Sequence, residues 1–106
     1  MIKQIYFIKR KPGMSFEEFK KYYLEVHAPL AKKSFPEIRK YIINFALQRG
    51  KETFYDAVTE VCLDDLETAI RLAKSDTYRN IIFPDEENFL DRSVFRYLLT
   101  EEFPQK

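Results

Sequence analysis

Apolar positions crowd both faces of I-K-Q-I-Y-F-I-K (Ile2 to Lys9), a run rich in β-branched and aromatic side chains. That pattern predicts a first strand, closed by the turn signal Lys11-Pro12-Gly13. The period then changes. Phe16, Phe19, Tyr23, Val26 and Leu30 recur at spacings of three and four, which predicts one apolar stripe on a helix from Ser15 to about Ser34. Ser15 with Glu18 three residues on is a capping-box signature. Pro29 has no N–H for the carbonyl of Glu25, so the helix is expected to kink or stop there, and Phe35-Pro36 ends it. Strand composition returns in Arg39 to Gln48 and Tyr55 to Leu63. The short loop Arg49-Gly50-Lys51-Glu52 between them predicts an antiparallel hairpin. Asp64 or Asp65 can cap a second helix carrying Leu66, Ala69, Ile70 and Ala73. A further helical piece runs from Ser75-Asp76 to Phe83, before Pro84. Residues 85–90 read as a short helical turn, and Ser93 to Thr100 as the last strand.

The order β-α-β-β-α-β predicts an α+β, ferredoxin-like domain over residues 1–106, with two helices on one face of a four-stranded antiparallel sheet. The strands carry apolar residues on both faces. Ile2, Tyr6 and Ile8 oppose Ile5 and Phe7, and Val61 and Leu63 oppose Val58 and Cys62. A sheet with one solvated face alternates more cleanly. No segment is left to cover the second face, so a second copy is expected there, the two sheets closing into a barrel-like homodimer.

Composition narrows the function classes. With 45% hydrophobic and 16% aromatic residues the chain is not a disordered one. Eighteen basic and seventeen acidic side chains leave a net charge of +1, which gives no electrostatic reason to bind nucleic acid or an anionic membrane. No apolar run approaches the roughly 20 residues of a membrane helix, and Met1-Ile2-Lys3-Gln4 leads straight into a strand rather than a signal peptide. A cytoplasmic location is expected. The single cysteine, Cys62, excludes an internal disulfide and reads as a small buried hydrophobe. There is no glycine-rich phosphate loop, no Ser-His-Asp arrangement and no His and Cys cluster for zinc, so no metal and no cofactor are expected.

The candidate chemistry centres on His27, the only histidine. It lies one turn beyond Tyr23 and one before Leu30, on the shoulder of the apolar stripe, where it should look into any cavity the helix covers. An imidazole can serve as acid or base near neutrality, or it can be a core ring satisfied by a carbonyl. Tyr41 and Asn44, three apart on a strand, face opposite sides of the sheet. Tyr6 offers a phenol to a cavity or sits as a core tyrosine, and Tyr23 in its aromatic stripe reads first as core.

R-K-P-G-M-S-F-E-E-F-K-K-Y-Y-L-E-V-H-A-P-L (Arg10 to Leu30) resembles the opening signature of EthD-type proteins of the dimeric α/β-barrel superfamily. Y-I-I-N (Tyr41 to Asn44), Tyr55-Asp56 and D-E-E-N-F-L-D (Asp85 to Asp91) are similar to that family in the same order. The resemblance implies a subunit that dimerises through its sheet and holds a small-molecule cavity between sheet and helices. It implies His27 as acid or base and Asp85 as its carboxylate partner, although Asp85 also reads as an N-cap after Pro84. Tyr6, Tyr23, Tyr41 and Asn44 become the ligand-contacting candidates. Superfamily relatives include a muconolactone methylisomerase, polyketide cyclases and dehydratases, cofactor-free quinone-forming monooxygenases and haem-degrading enzymes. The expected function is binding of a small apolar or aromatic carbonyl compound, with cofactor-independent isomerisation, cyclisation or dehydration. The rivals are a haem-handling protein with His27 as axial ligand and a non-catalytic binding module.

Overall fold

A computed structural model describes all 106 residues. Its elements follow the expected order. Strand β1 spans Ile2–Ile8, β2 Lys40–Phe45, β3 Ala57–Leu63 and β4 Arg96–Glu101. All pair antiparallel in the order β2-β3-β1-β4, a ferredoxin-like sheet. The hairpin of β2 and β3 is present, but β2 stops at Phe45 rather than running to Gln48. The chain then leaves the ladder for a loop in which Gly50 takes φ 77°. Residues 9–11 extend β1 beyond the sheet and tie down the segment after the last helix, with Lys11 N–H donating to the Phe89 carbonyl and Asp91 N–H to that of Lys9.

Three helices cover one face: α1 (residues 16–34), α2 (Leu66–Ala73) and α3 (residues 76–86). At the start of α1 both capping-box bonds form. Glu18 N–H donates to Ser15 Oγ at 3.0 Å, and Ser15 N–H to Glu18 Oε1 at 2.8 Å. Ser15→Ala should therefore lower stability by about 1 kcal/mol, read as a lower urea midpoint with an unchanged slope. Asp65, not Asp64, caps α2, accepting from Thr68 N–H at 2.8 Å.

Pro29 neither stops α1 nor ends its hydrogen bonding. The turn before it, Tyr23–His27, is a π-helix, with the N–H of Ala28 reaching back five residues to the Tyr23 carbonyl, and α-helix resumes over Ala28–Ser34. The same happens in α3, where π-helix over Tyr78–Ile82 precedes Pro84 and the Phe83 N–H donates to the Tyr78 carbonyl. What reads in sequence as two short helical pieces is thus one helix. A proline ring clashes with a carbonyl held at the usual four-residue reach, and a turn closed over five residues moves that reach.

The wider turn changes which residues are buried. Val26, placed in the apolar stripe by a 3.6-residue period, is 43% exposed, while His27 is 5% exposed. Phe19, Tyr23, His27, Ala31 and Phe35, each four residues on, are buried along α1 and just beyond it, with Ala28 beside them. His27 has moved from the shoulder of the stripe to its centre.

The uncovered face of the sheet is apolar only in part. Ile42, Glu60, Ile5 and Leu98 form one cross-strand row, and Asn44, Val58, Phe7 and Arg96 the next. Lys3 and Lys40 share this face, and Lys3 Nζ pairs with Glu60 at 2.9 Å. The expectation of a face made of apolar residues overlooked these charged positions, which have the same parity. Cys62 is buried and free, as its neighbours in the strand imply. No helix is long and apolar enough to cross a membrane.

Candidate functional site

The buried apolar side chains form two clusters. One holds Ile8, Phe19, Tyr23 and Phe89, the other Phe35, Val61, Leu63, Leu72 and Ile82. Between them lies a cavity of about 300 Å³ lined by members of both. Its volume is at the lower end of roughly 300–1,000 Å³ for small-molecule sites. Seventeen of its twenty lining residues are hydrophobic, so the few polar atoms that reach it decide its chemistry.

His27 is one of them. Its Nδ1 stands 2.8 Å from Asp85 Oδ2, linking the π turn of α1 to the residue after Pro84 in α3. Asp85 Oδ1 accepts from Tyr22 Oη at 2.5 Å and from Asn88 Nδ2 at 3.3 Å. Burial alone would lift the Asp85 carboxyl, but the hydrogen bonds from Tyr22, His27 and Asn88 hold it below the usual range. An ionised carboxylate only accepts, so Nδ1 carries the proton and Nε2 a lone pair. Burial pushes the imidazole below its ordinary pKa, with Asp85 pulling the other way. The ring is therefore neutral at pH 7. Nε2 makes no hydrogen bond to the protein and is not sealed from the cavity. Phe89, fully buried, packs against the ring with centroids 4.7 Å apart.

Three of the four expected ligand contacts reach this cavity. Tyr6, Tyr23 and Tyr41 line it. Tyr23 Oη lies 2.6 Å from Thr59 Oγ1, and Tyr6 Oη donates to Gln4 Oε1 at 2.7 Å. Burial pushes the Tyr23 hydroxyl up to about 12 and those of Tyr6 and Tyr41 well above their usual range. All three stay protonated, with the Tyr6 proton already given to Gln4. Asn44 does not belong to the site. Its amide donates to the Val58 carbonyl and to Glu60 Oε2, both at 3.0 Å, on the far face of the sheet. The odd spacing from Tyr41 requires that placement. No group of three or more His, Cys, Asp and Glu side chains stands together as a metal site would need.

Several site residues were not picked out from sequence. Gln4 lines the cavity, and with Oε1 occupied by Tyr6 its Nε2 is left to donate. Glu86 also lines it, buried beside Tyr78. The signal was available in the four-residue spacing of Tyr78, Ile82, Glu86 and Leu90, the same interval that runs through the buried positions of α1. A glutamate after Asp85 in a first helical turn reads instead as a solvated partner of the helix dipole.

The sheet order, the helices on one face and the cavity between them define a ferredoxin-like α+β domain with an internal, mostly apolar cavity. The chain belongs to the EthD family: a family model described as the EthD domain matches residues 11–93. Among solved structures, it is similar to an EthD family protein from Bacillus halodurans, at 20% identity over 97% of this chain and 100% of that one, with a TM-score of 0.75. An EthD-like protein from Ralstonia eutropha is 18% identical over 93% and 86%, with a TM-score of 0.66. A dimeric protein of unknown function with a ferredoxin-like fold, from Bacteroides fragilis, is 13% identical over 95% of each chain, with a TM-score of 0.67. At these identities the likeness is one of fold.

Proposed function

We propose that this protein binds a small, largely apolar or aromatic carbonyl compound in the cavity and moves a proton on it, with His27 as the base. One observation carries the reading: Nδ1 of a buried, neutral imidazole is held at 2.8 Å by Asp85 while Nε2 faces the cavity with no partner. A hydrogen bond that fixes the tautomer aims a lone pair, which is what a general base needs. Asp85 orients the ring and stabilises the imidazolium that forms. In this reading the Gln4 amide, whose Oε1 is occupied by Tyr6, donates to the carbonyl oxygen as negative charge develops on it. Isomerisation, cyclisation and dehydration all begin with such a proton abstraction. No step of this reading calls on a cofactor.

Because His27 is the only histidine, its ring gives a single set of imidazole resonances. NMR should show the Nδ1–H tautomer and a titration below the ordinary value of roughly 6.5. The same resonances should move when a bound aromatic ketone fills the cavity. A ring that titrates at the ordinary value and ignores every carbonyl ligand would instead support the non-catalytic binding module.

We further propose that the chain works as a homodimer joined through the uncovered sheet face. Ile42 and Leu98 are exposed there in a single chain, beside Ile5, Phe7 and Val58. The Bacteroides fragilis protein of the same fold is described as dimeric. A second copy would remove these side chains from water, and equilibrium sedimentation should give twice the chain mass at micromolar concentration.

A further inference from the structure

His27 is not alone in presenting an unpartnered atom to the cavity. Glu86 is 7% exposed and lines the same space. Its Oε1 accepts from Tyr78 Oη at 2.8 Å and from Arg92 Nη1 at 2.5 Å. Its Oε2 accepts from no protein group, yet is not sealed away. A buried carboxylate ordinarily keeps both oxygens bonded. A neutral carboxyl in this position has a different use, because Oε2–H is then a donor aimed at a ligand.

We propose that Glu86 is the acid partner of His27, and that the substrate is a β-hydroxy carbonyl compound from which the two residues remove water. This rests on the reading of His27 as base. Nε2 takes the proton from the carbon between the carbonyl and the hydroxyl-bearing carbon. The C–H electron pair becomes the new C=C bond, and the C–O bond breaks. Glu86 gives its proton to the departing oxygen, which leaves as water. His27 ends protonated and Glu86 ionised, and exchange with solvent restores both. Nothing is oxidised or reduced, and no co-reactant is needed.

The surroundings fit the assignment. Tyr78 and Asp85 face Glu86 from α3, Arg92 from the segment after it, Tyr23 from α1, Tyr6 from β1 and Tyr41 from β2. Burial pushes the carboxyl up to about 7, against the pull of Tyr78 and Arg92. The tyrosines are themselves neutral, so Arg92 is the one cation in this group. An acid of this strength gives up its proton to a leaving oxygen and regains it near neutrality.

Two probes separate the roles. Benzylacetone has the carbonyl and the acidic C–H but no leaving group, so deuterium exchange at that carbon, followed by NMR, reads the base alone. Its β-hydroxy derivative loses water to benzylideneacetone, an ultraviolet-absorbing enone, and reads base and acid together. Glu86→Gln should lower elimination about a hundredfold relative to exchange, whereas His27→Ala should lower both together by about 10²- to 10⁴-fold. Elimination by the wild type should fall above about pH 7 as Glu86 ionises. Tyr78→Phe, which removes a hydrogen bond favouring the ionised form, should move that limb to higher pH. The assignment is overturned if Glu86→Gln lowers both reactions in proportion or neither, or if the limb stays in place in Tyr78→Phe. It is also overturned, with the His27 reading intact, if the wild type exchanges benzylacetone but never dehydrates its derivative. A wild type that does neither overturns both readings together.

Discussion

His27→Ala should lose proton-transfer activity by about 10²- to 10⁴-fold, the range for removing a general base, while still binding ligand. The imidazole stands at the centre of the buried stripe of α1, so the variant enlarges a cavity that already exists rather than opening a sealed void. Asp85 keeps its bonds from Tyr22 and Asn88, so no carboxylate is stranded by the change. The circular dichroism and the dissociation constant of a bound aromatic ketone should therefore change little while turnover collapses. A variant that turns substrate over as fast as the wild type would leave the cavity as a binding site and remove His27 from the chemistry. Asp85→Asn should give a smaller loss, since the ring would remain but its tautomer would no longer be fixed.

Leu98→Asp should convert the proposed dimer to a monomer. In a single chain Leu98 is 56% exposed, and a surface substitution there would change stability by no more than about 0.5 kcal/mol. Covered by a second sheet, the same aspartate becomes an unpaired buried charge, at a cost of about 3–5 kcal/mol. That corresponds to association weaker by a hundredfold or more, over an interface expected to reach the roughly 1,600 Å² of a standard specific contact. Sedimentation of wild type and variant side by side reads the difference. Equal masses would mean that this mixed face, with Lys3, Lys40, Glu60 and Arg96 among its apolar residues, is simply solvated.

The sheet was legible in the sequence because a strand has a fixed period of two. Once Tyr6 is inward, Gln4 and Ile8 are inward and Ile5 and Phe7 outward, and the pairing of β1 with β3 and β4 follows that parity. The same rule already separated Asn44 from Tyr41. The helices were legible as helices, from the Ser15 and Asp65 caps and their apolar spacing, but not in their rotation. A period of 3.6 residues was the wrong ruler across Tyr23–His27 and Tyr78–Ile82. It placed Val26 inside, and reading residues 85–90 as a separate helical turn left Glu86 among the solvated positions. Prolines mark both places, yet the code for proline is a break or a kink, and nothing in residue identity distinguishes a broken helix from one with a widened turn. The His27–Asp85 contact joins residues 58 apart in sequence, which no local pattern encodes. The family resemblance supplied that pairing.

The two widened turns also each hold one residue more than an ordinary α-helical turn. Losing one residue from an α-helix rotates one half against the other by about 100° and shortens it by about 1.5 Å. Leu24 sits in the first widened turn and is exposed, so its removal would cost little packing. The turn would then close to the ordinary reach, with the Ala28 N–H meeting the same Tyr23 carbonyl over four residues instead of five, and His27 would keep its place beside Asp85. A single-codon deletion that would scramble the register of most helices is absorbed at this turn.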